Sequence, residues 1–256
     1  MKSWIFLILL FLAVTLYAGT RLGEENYFEG YAEGYYDGYL AGLRQGYEEG
    51  YELSCLESTN ASLGEIAERE GVIVRYFELP GRGSGFYSRI STRRYLYYKV
   101  LAPRHSNLSA YITPEEGEVA ELALMLRKHY HSDREFAEAA LDIVQQLKFE
   151  PDITAFNTKY PLETLAEGSG DCEDRALLLV SLLRAAGIDA VVVVFLDHVG
   201  AAVSLSESPF KGAVFFEVGG KRYYYCETTG SYPAGEDWNV GEMPKSYATQ
   251  GAQIIF

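Results

Sequence analysis

Three observations predict an α+β fold. Residues 170–174, Gly-Asp-Cys-Glu-Asp, run into an apolar stretch at 176–183 that reads as a buried helix. Four short apolar runs follow, at 190–196, 199–205, 213–218 and 222–228, with no long helix between them. Gly219-Gly220, between the last two runs, is a hairpin signal, so the strands should form an antiparallel sheet on which the cysteine-bearing helix packs.

Before this core, the chain divides by composition into residues 1–20, 21–54 and 55–110, leaving 111–256 as the main domain. After Met1 and Lys2, residues 4–18 are unbroken and apolar, as in a signal-peptide core or a short membrane anchor. As a helix they would cover roughly 23 Å of the ~30 Å hydrocarbon thickness. Leu16 stands where a cleavage site prefers a small residue, which favours an uncleaved anchor with everything after residue 20 outside the cytoplasm.

Residues 21–54 carry a tetrapeptide period. Gly30, Gly34, Gly38, Gly42, Gly46 and Gly50 are each followed by Tyr31, Tyr35, Tyr39, Leu43, Tyr47 and Tyr51. On a helix a four-residue step drifts by about 40° per repeat, giving a winding glycine stripe suited to close packing. The glycines would cost on the order of 5 kcal/mol against alanine, so the segment is either a self-associating helix with a partner or a flexible stalk. Residues 73–79 and 87–100 read as two strands around a flexible loop at 80–85. Arg82, Arg89, Arg93, Arg94, Lys99 and Arg104 make this extension locally basic, which reads as a solvated sheet face.

The main domain opens with helix-start signals. Thr113-Pro114-Glu115-Glu116 supplies a cap, a proline and an acid, and Ser132 with Glu135 has capping-box spacing, predicting helices at 114–131 and 133–148. His129 and His131 suit the C-terminal end of the first helix, and with His105 they read as structural. Residues 149–170 contain two prolines and should wrap over the surface into the cysteine turn. The cysteine helix should stop at Gly187.

With 256 residues and a formal charge of −14, the chain holds one main core and is a poor partner for nucleic acid, whose binding rests on Lys and Arg. A basic or neutral substrate is easier to accommodate. Cys55, Cys172 and Cys226 leave at least one thiol free, with a Cys55–Cys226 bond open as an alternative. Sequons at Asn60 and Asn107 agree with export. Cys172, His198 and Cys226 are potential metal ligands, but no closely spaced ligand pair occurs, nor does a phosphate-binding glycine loop, so neither metal nor cofactor is expected.

A thiol at a helix N-terminus meets unpaired N–H groups and the positive end of the helix dipole. Its base and orienter are available downstream. His198 and Glu227 each follow an apolar or aromatic run and should lie on or at the end of a strand. Neighbours on a strand face opposite ways, so Cys226 should point away if Glu227 reaches His198. Asp171 and Asp174 fit the N-cap and N3 positions, although their charges oppose thiolate formation.

The stretch Gly170 to Asp174, His198, and Tyr225-Cys226-Glu227-Thr228-Thr229 resemble the core of the prokaryotic transglutaminase-like superfamily, related in architecture to papain-like thiol proteases. Val144-Gln145, Asp152, Tyr160-Pro161, Glu163-Thr164, Trp238, Gly241 and Pro244 extend the resemblance over roughly residues 111–250. It implies Cys172 as nucleophile, His198 as general base, Glu227 as the orienting acid where many members have Asp, and Gln145 as a possible oxyanion donor. The implied activity is extracytoplasmic acyl transfer from a peptide or amide, with hydrolysis favoured over crosslinking. The alternative is a catalytically silent domain of the same fold serving as a membrane-anchored interaction module.

Overall fold

The computed structural model describes residues 71–101, 107–151, 158–229, 238–248 and 250–256, all within one compact unit, Ser62–Phe256. The segment at 4–18, the Gly-Tyr repeat, Cys55, Arg104, His105 and Asp152 lie outside the described residues. Among the described residues, no helix is long and apolar enough to cross a membrane.

Strands β1 (Val72–Leu79) and β2 (Ser84–Ser91) form an antiparallel hairpin with Tyr76 opposite Tyr87. Its turn is tight rather than a loose loop, closed by the Arg82 N–H donating to the Leu79 carbonyl at 3.1 Å. The second strand is shorter than the sequence suggests. Ser91 ends it by accepting the Arg94 N–H, and helix α1 (Thr92–Val100) follows. Tertiary partners override the strand pattern there. Arg94 pairs with Glu116 and Glu118, Tyr98 donates to Glu116, and Lys99 pairs with Glu167. Arg94 and Lys99 are thus drawn into ion pairs, while Arg82, Arg89 and Arg93 are exposed.

Helix α2 spans Gly117–His129, starting later than 114. The Thr113 N–H donates instead to Ser181 Oγ at 3.1 Å, and the Glu116 carboxylate holds Arg94 rather than capping the helix. Helix α3 (Asp133–Gln145) has the expected capping box, with Ser132 Oγ accepting the Glu135 N–H and the Glu135 carboxylate accepting the Ser132 N–H.

The described residues 158–170 are no surface wrap. They contain helix α4 (Pro161–Glu167), with proline at its first position, Glu163 accepting the Tyr160 N–H at 2.9 Å, and Leu162, Leu165 and Ala166 buried. Two short parallel strands, β3 (Lys148–Phe149) and β4 (Ser169–Gly170), then lead into helix α5 (Cys172–Ala185). A seven-residue helix between loops gives too short a period to stand out in sequence.

The sheet is five-stranded and antiparallel in the order β7-β8-β6-β5-β9, with β5 Ala190–Val194, β6 Val199–Ser204, β7 Phe215–Val218, β8 Lys221–Cys226 and β9 Gln253–Ile255. Gly219 and Gly220, at φ 59° and 78°, make the β7–β8 turn, whose two positive φ angles match the twist of the flanking strands. Strand β9 was not foreseen, since three residues carry no usable alternation.

Alternate residues along the strands enter two cores. Val192, Ala201, Val203, Tyr224 and Cys226 face the helices, against Leu177, Leu178 and Leu182 of α5. Val191, Val193, Ala202, Tyr223 and Tyr225 face the other side, under Phe195, Met243 and Tyr247. Each fully buried leucine of α5 contributes about 2 kcal/mol by removing its side chain from water, which holds the helix that carries Cys172 against the sheet that carries its partners.

Candidate active site

Cys172 is the first residue of α5 and is partly exposed. Its position is set by a reciprocal cap. Asp171 Oδ1 accepts the N–H groups of Glu173 at 3.0 Å and Asp174 at 3.1 Å, while Asp174 Oδ2 accepts the Asp171 N–H at 3.3 Å. Asp174 also accepts the Lys159 N–H at 2.7 Å. Burial, and next the charge of Asp171, push the Asp174 carboxyl up to about 8, so it is mainly uncharged at neutral pH. Lys159 does not reverse this, because its ammonium is 3.0 Å from Glu167 but 3.8 Å from Asp174. One of the acids beside the thiol therefore bears little charge.

The carboxylates of Asp171, Glu173 and Asp174 lie within 4.8 Å of one another. Their oxygens accept the first-turn N–H groups, the Lys159 N–H and the Thr158 hydroxyl, so the group is a helix cap rather than a metal donor set.

His198 lies between β5 and β6 and is buried. Its Nε2 is 3.1 Å from each carboxylate oxygen of Glu227, and the imidazole also hydrogen-bonds with the Cys172 thiol. Burial alone would lower the imidazole pKa, but the hydrogen bonds to Cys172 and Glu227 outweigh it and raise it to about 9. Glu227 follows directly on β8 and is 1% exposed, which excludes a surface carboxylate. Burial would raise its pKa; the His198 contact and the Thr229 hydrogen bonds more than offset this and hold it below the usual carboxylate range.

The Glu227 carboxylate accepts from the Tyr225 hydroxyl at 2.9 Å, the Thr229 hydroxyl at 2.7 Å and the Thr229 N–H at 3.1 Å. The longer side chain in the place of Asp thus reaches the imidazole with both oxygens. Cys226, one residue earlier, points into the helix-side core, where burial pushes its thiol pKa up.

Gln145 contacts the backbone on either side of the segment that follows β8. Its amide donates to the main-chain carbonyls of Glu227 at 2.8 Å and Trp238 at 3.0 Å. Both its donors are committed there, so in this arrangement it offers none to an oxyanion, and it braces the backbone of Glu227 instead.

Four further residues shape the site. Tyr225 and Thr229 stand two residues either side of Glu227, a spacing that extended backbone puts on one face and that the sequence displayed. Arg175, 1% exposed, donates to the carbonyls of Leu147 at 2.5 Å and of Thr228 and Thr229 at 3.2 Å, pinning the segment after Glu227 to α5. Burial lowers its pKa to about 10, which leaves it cationic at neutral pH. The fourth, Tyr247, stacks on His198 with ring centroids 4.4 Å apart and planes 4° from parallel. Nothing in the local sequence around Tyr247 signals that contact.

The model of the transglutaminase-like superfamily matches residues 112–208, a span that includes Gln145, Cys172 and His198 and ends before Glu227. Among solved structures the chain is similar to a "putative protease from Parabacteroides distasonis ATCC 8503", with 18% identity and a TM-score of 0.32. That match covers 62% of this chain and 40% of the other. No curated protein matches the chain.

Proposed function

Starting from a transglutaminase-like domain at residues 112–208, we propose that the protein is a thiol acyl-transfer enzyme acting on amide bonds. The observation that carries this is the His198 imidazole held by Glu227 through Nε2 at 3.1 Å and hydrogen-bonded to Cys172 at the start of a helix. Sulfur, base and orienter stand in the sequence that nucleophilic catalysis requires.

In this reading Cys172 attacks the carbonyl carbon of the amide as the thiolate, its proton having passed to His198. The negative charge that develops on the carbonyl oxygen meets the N–H of Cys172, a first-turn amide with no carbonyl four residues earlier in the helix. His198 then gives its proton to the leaving nitrogen, the C–N bond breaks, and a thioester remains. Water, deprotonated by His198, attacks that thioester to release the acid and restore the thiol. An amine in place of water would give crosslinking; hydrolysis is the favoured outcome. Glu227 keeps the imidazolium oriented and charge-balanced throughout. The apolar segment at 4–18 supports a membrane-anchored enzyme working outside the cytoplasm.

The test is iodoacetamide alkylation of the full chain followed by peptide mapping, across about pH 6 to 8, with wild type and His198→Ala. Labelling at Cys172 that is slowed at least about ten-fold by the substitution, with the fold intact, supports an activated pair. A Cys172 that is inert, or equally reactive without His198, removes the enzyme reading and leaves a silent interaction module.

A further inference from the structure

The turn that carries Tyr247 is fastened to the residues just before His198. Gln250 donates to the Asp197 carboxylate at 3.2 Å and accepts the Leu196 N–H at 3.4 Å. Within the turn, the Tyr247 N–H donates to the Pro244 carbonyl and the Gln250 N–H to the Tyr247 carbonyl. Tyr247 is also nearly parallel to Phe195, at 5.3 Å and 23°, so its ring is supported from a second side. This turn is therefore tied to the β5–β6 turn and presents an aromatic face to the imidazole.

We infer that Tyr247 is a positioning residue for the Cys172–His198 pair, its ring fixing the plane of the imidazole and keeping water from the bond between Nε2 and Glu227. Glu227 alone constrains one edge of the ring and leaves the tilt about that edge open. A face-on aromatic at 4.4 Å closes that freedom and keeps the ring in the plane from which it contacts Glu227 and Cys172. The same face attracts the imidazolium form through the ring quadrupole. Burial, followed by the charges of Glu227, Asp197 and Cys172, raises the Tyr247 pKa and so keeps its hydroxyl neutral. Among the described residues, the charged or titratable groups facing the stacked pair are Glu227, Asp197, Cys172 and Tyr225, with Arg175 acting on Glu227 from α5.

The inference rests on the acyl-transfer reading only for its catalytic meaning, and its test does not. Full-length Tyr247→Phe, Tyr247→Leu and Tyr247→Ala are compared by NMR titration of His198 and by the rate of Cys172 alkylation against pH. Tyr247→Phe should match wild type within about two-fold in rate, because the face is retained. Tyr247→Ala should slow Cys172 alkylation about ten-fold near pH 7 and shift the His198 midpoint by about one unit, because solvent entering beside the ring changes both its desolvation and its contact with Glu227. Tyr247→Leu, which keeps apolar cover and the fold, should fall between the two.

An unchanged His198 midpoint in both Ala and Leu variants overturns the proposal, as does an equal loss in Phe, which would assign the effect to the hydroxyl. If wild-type Cys172 shows no dependence on His198, the acyl-transfer reading fails by itself. The His198 titration still decides whether Tyr247 positions the ring.

Discussion

Gly200 on β6 offers a perturbation that touches no reacting group. A Cβ at this position would lie 2.5 Å from the Tyr225 hydroxyl oxygen, 2.7 Å from Cε2 and 2.9 Å from Cζ. Tyr225 is fully buried, so its ring has nowhere to move without leaving the Glu227 carboxylate that its hydroxyl contacts at 2.9 Å. Gly200→Ala should then cost about 1–3 kcal/mol for overpacking and about 1.5–3 kcal/mol for the lost hydrogen bond to a charged group. A total of about 2.5–6 kcal/mol is a large share of the stability of an ordinary domain. Urea unfolding measures it, in a double-mutant cycle with Tyr225→Phe. In that background the hydrogen bond and the closest clashing atom are both gone and only the contacts with Cε2 and Cζ remain, so the two changes should couple by at least about 1.5–3 kcal/mol. A Gly200→Ala protein within about 0.5 kcal/mol of wild type, or strict additivity with Tyr225→Phe, would refute the reasoning.

Three other outcomes are expected. Arg175→Met should destabilise by about 3 kcal/mol in chemical denaturation, since the carbonyls of Leu147, Thr228 and Thr229 lose a charged donor. Ser132→Ala removes one half of the α3 capping box and should cost about 1 kcal/mol, lowering the thermal midpoint by about 3 °C. Asp174 releases its proton near 3.8 when unfolded but near 8 when folded, so the native state binds the extra proton and stability falls as pH rises through that interval. Asp174→Asn, which keeps an oxygen for the Lys159 N–H, should shrink the difference between urea midpoints at about pH 5 and pH 8; an unchanged difference would count against the buried-carboxyl assignment.

What the sequence displayed, it displayed through local rules. The cap residues around Cys172, the capping box at Ser132, the strand alternation from residue 190 onward and the Gly219-Gly220 turn each depend on near neighbours, and each has its counterpart in the structure. The opposite facing of Cys226 and Glu227 follows from strand geometry for the same reason. Misreadings gather where distant partners decide. Residues 92–100 have an aromatic, strand-like composition, yet Glu116, Glu118 and Glu167 recruit their charges and the segment winds into α1. Pro161 signals a surface loop by composition but occupies the first position of α4, sunk into the core. Gln145 attracts a catalytic role from its place in the chain, whereas its amide is spent on two carbonyls more than eighty residues away. Tyr247 needs the whole sheet in place before it has a neighbour to stack on.

Every residue of α5 from Asp174 to Leu183 is buried, and its first turn is closed by a reciprocal cap. A helix held in this way does not fray at its beginning, so its amides should exchange with solvent deuterium only on global unfolding, and the sulfur rides on the most slowly opening part of the molecule. The imidazole and its aromatic cover sit instead on turns at the sheet end. On the acyl-transfer reading proposed above, breathing that admits a bulky amide would come from those turns, with Cys172 as the fixed point against which they move.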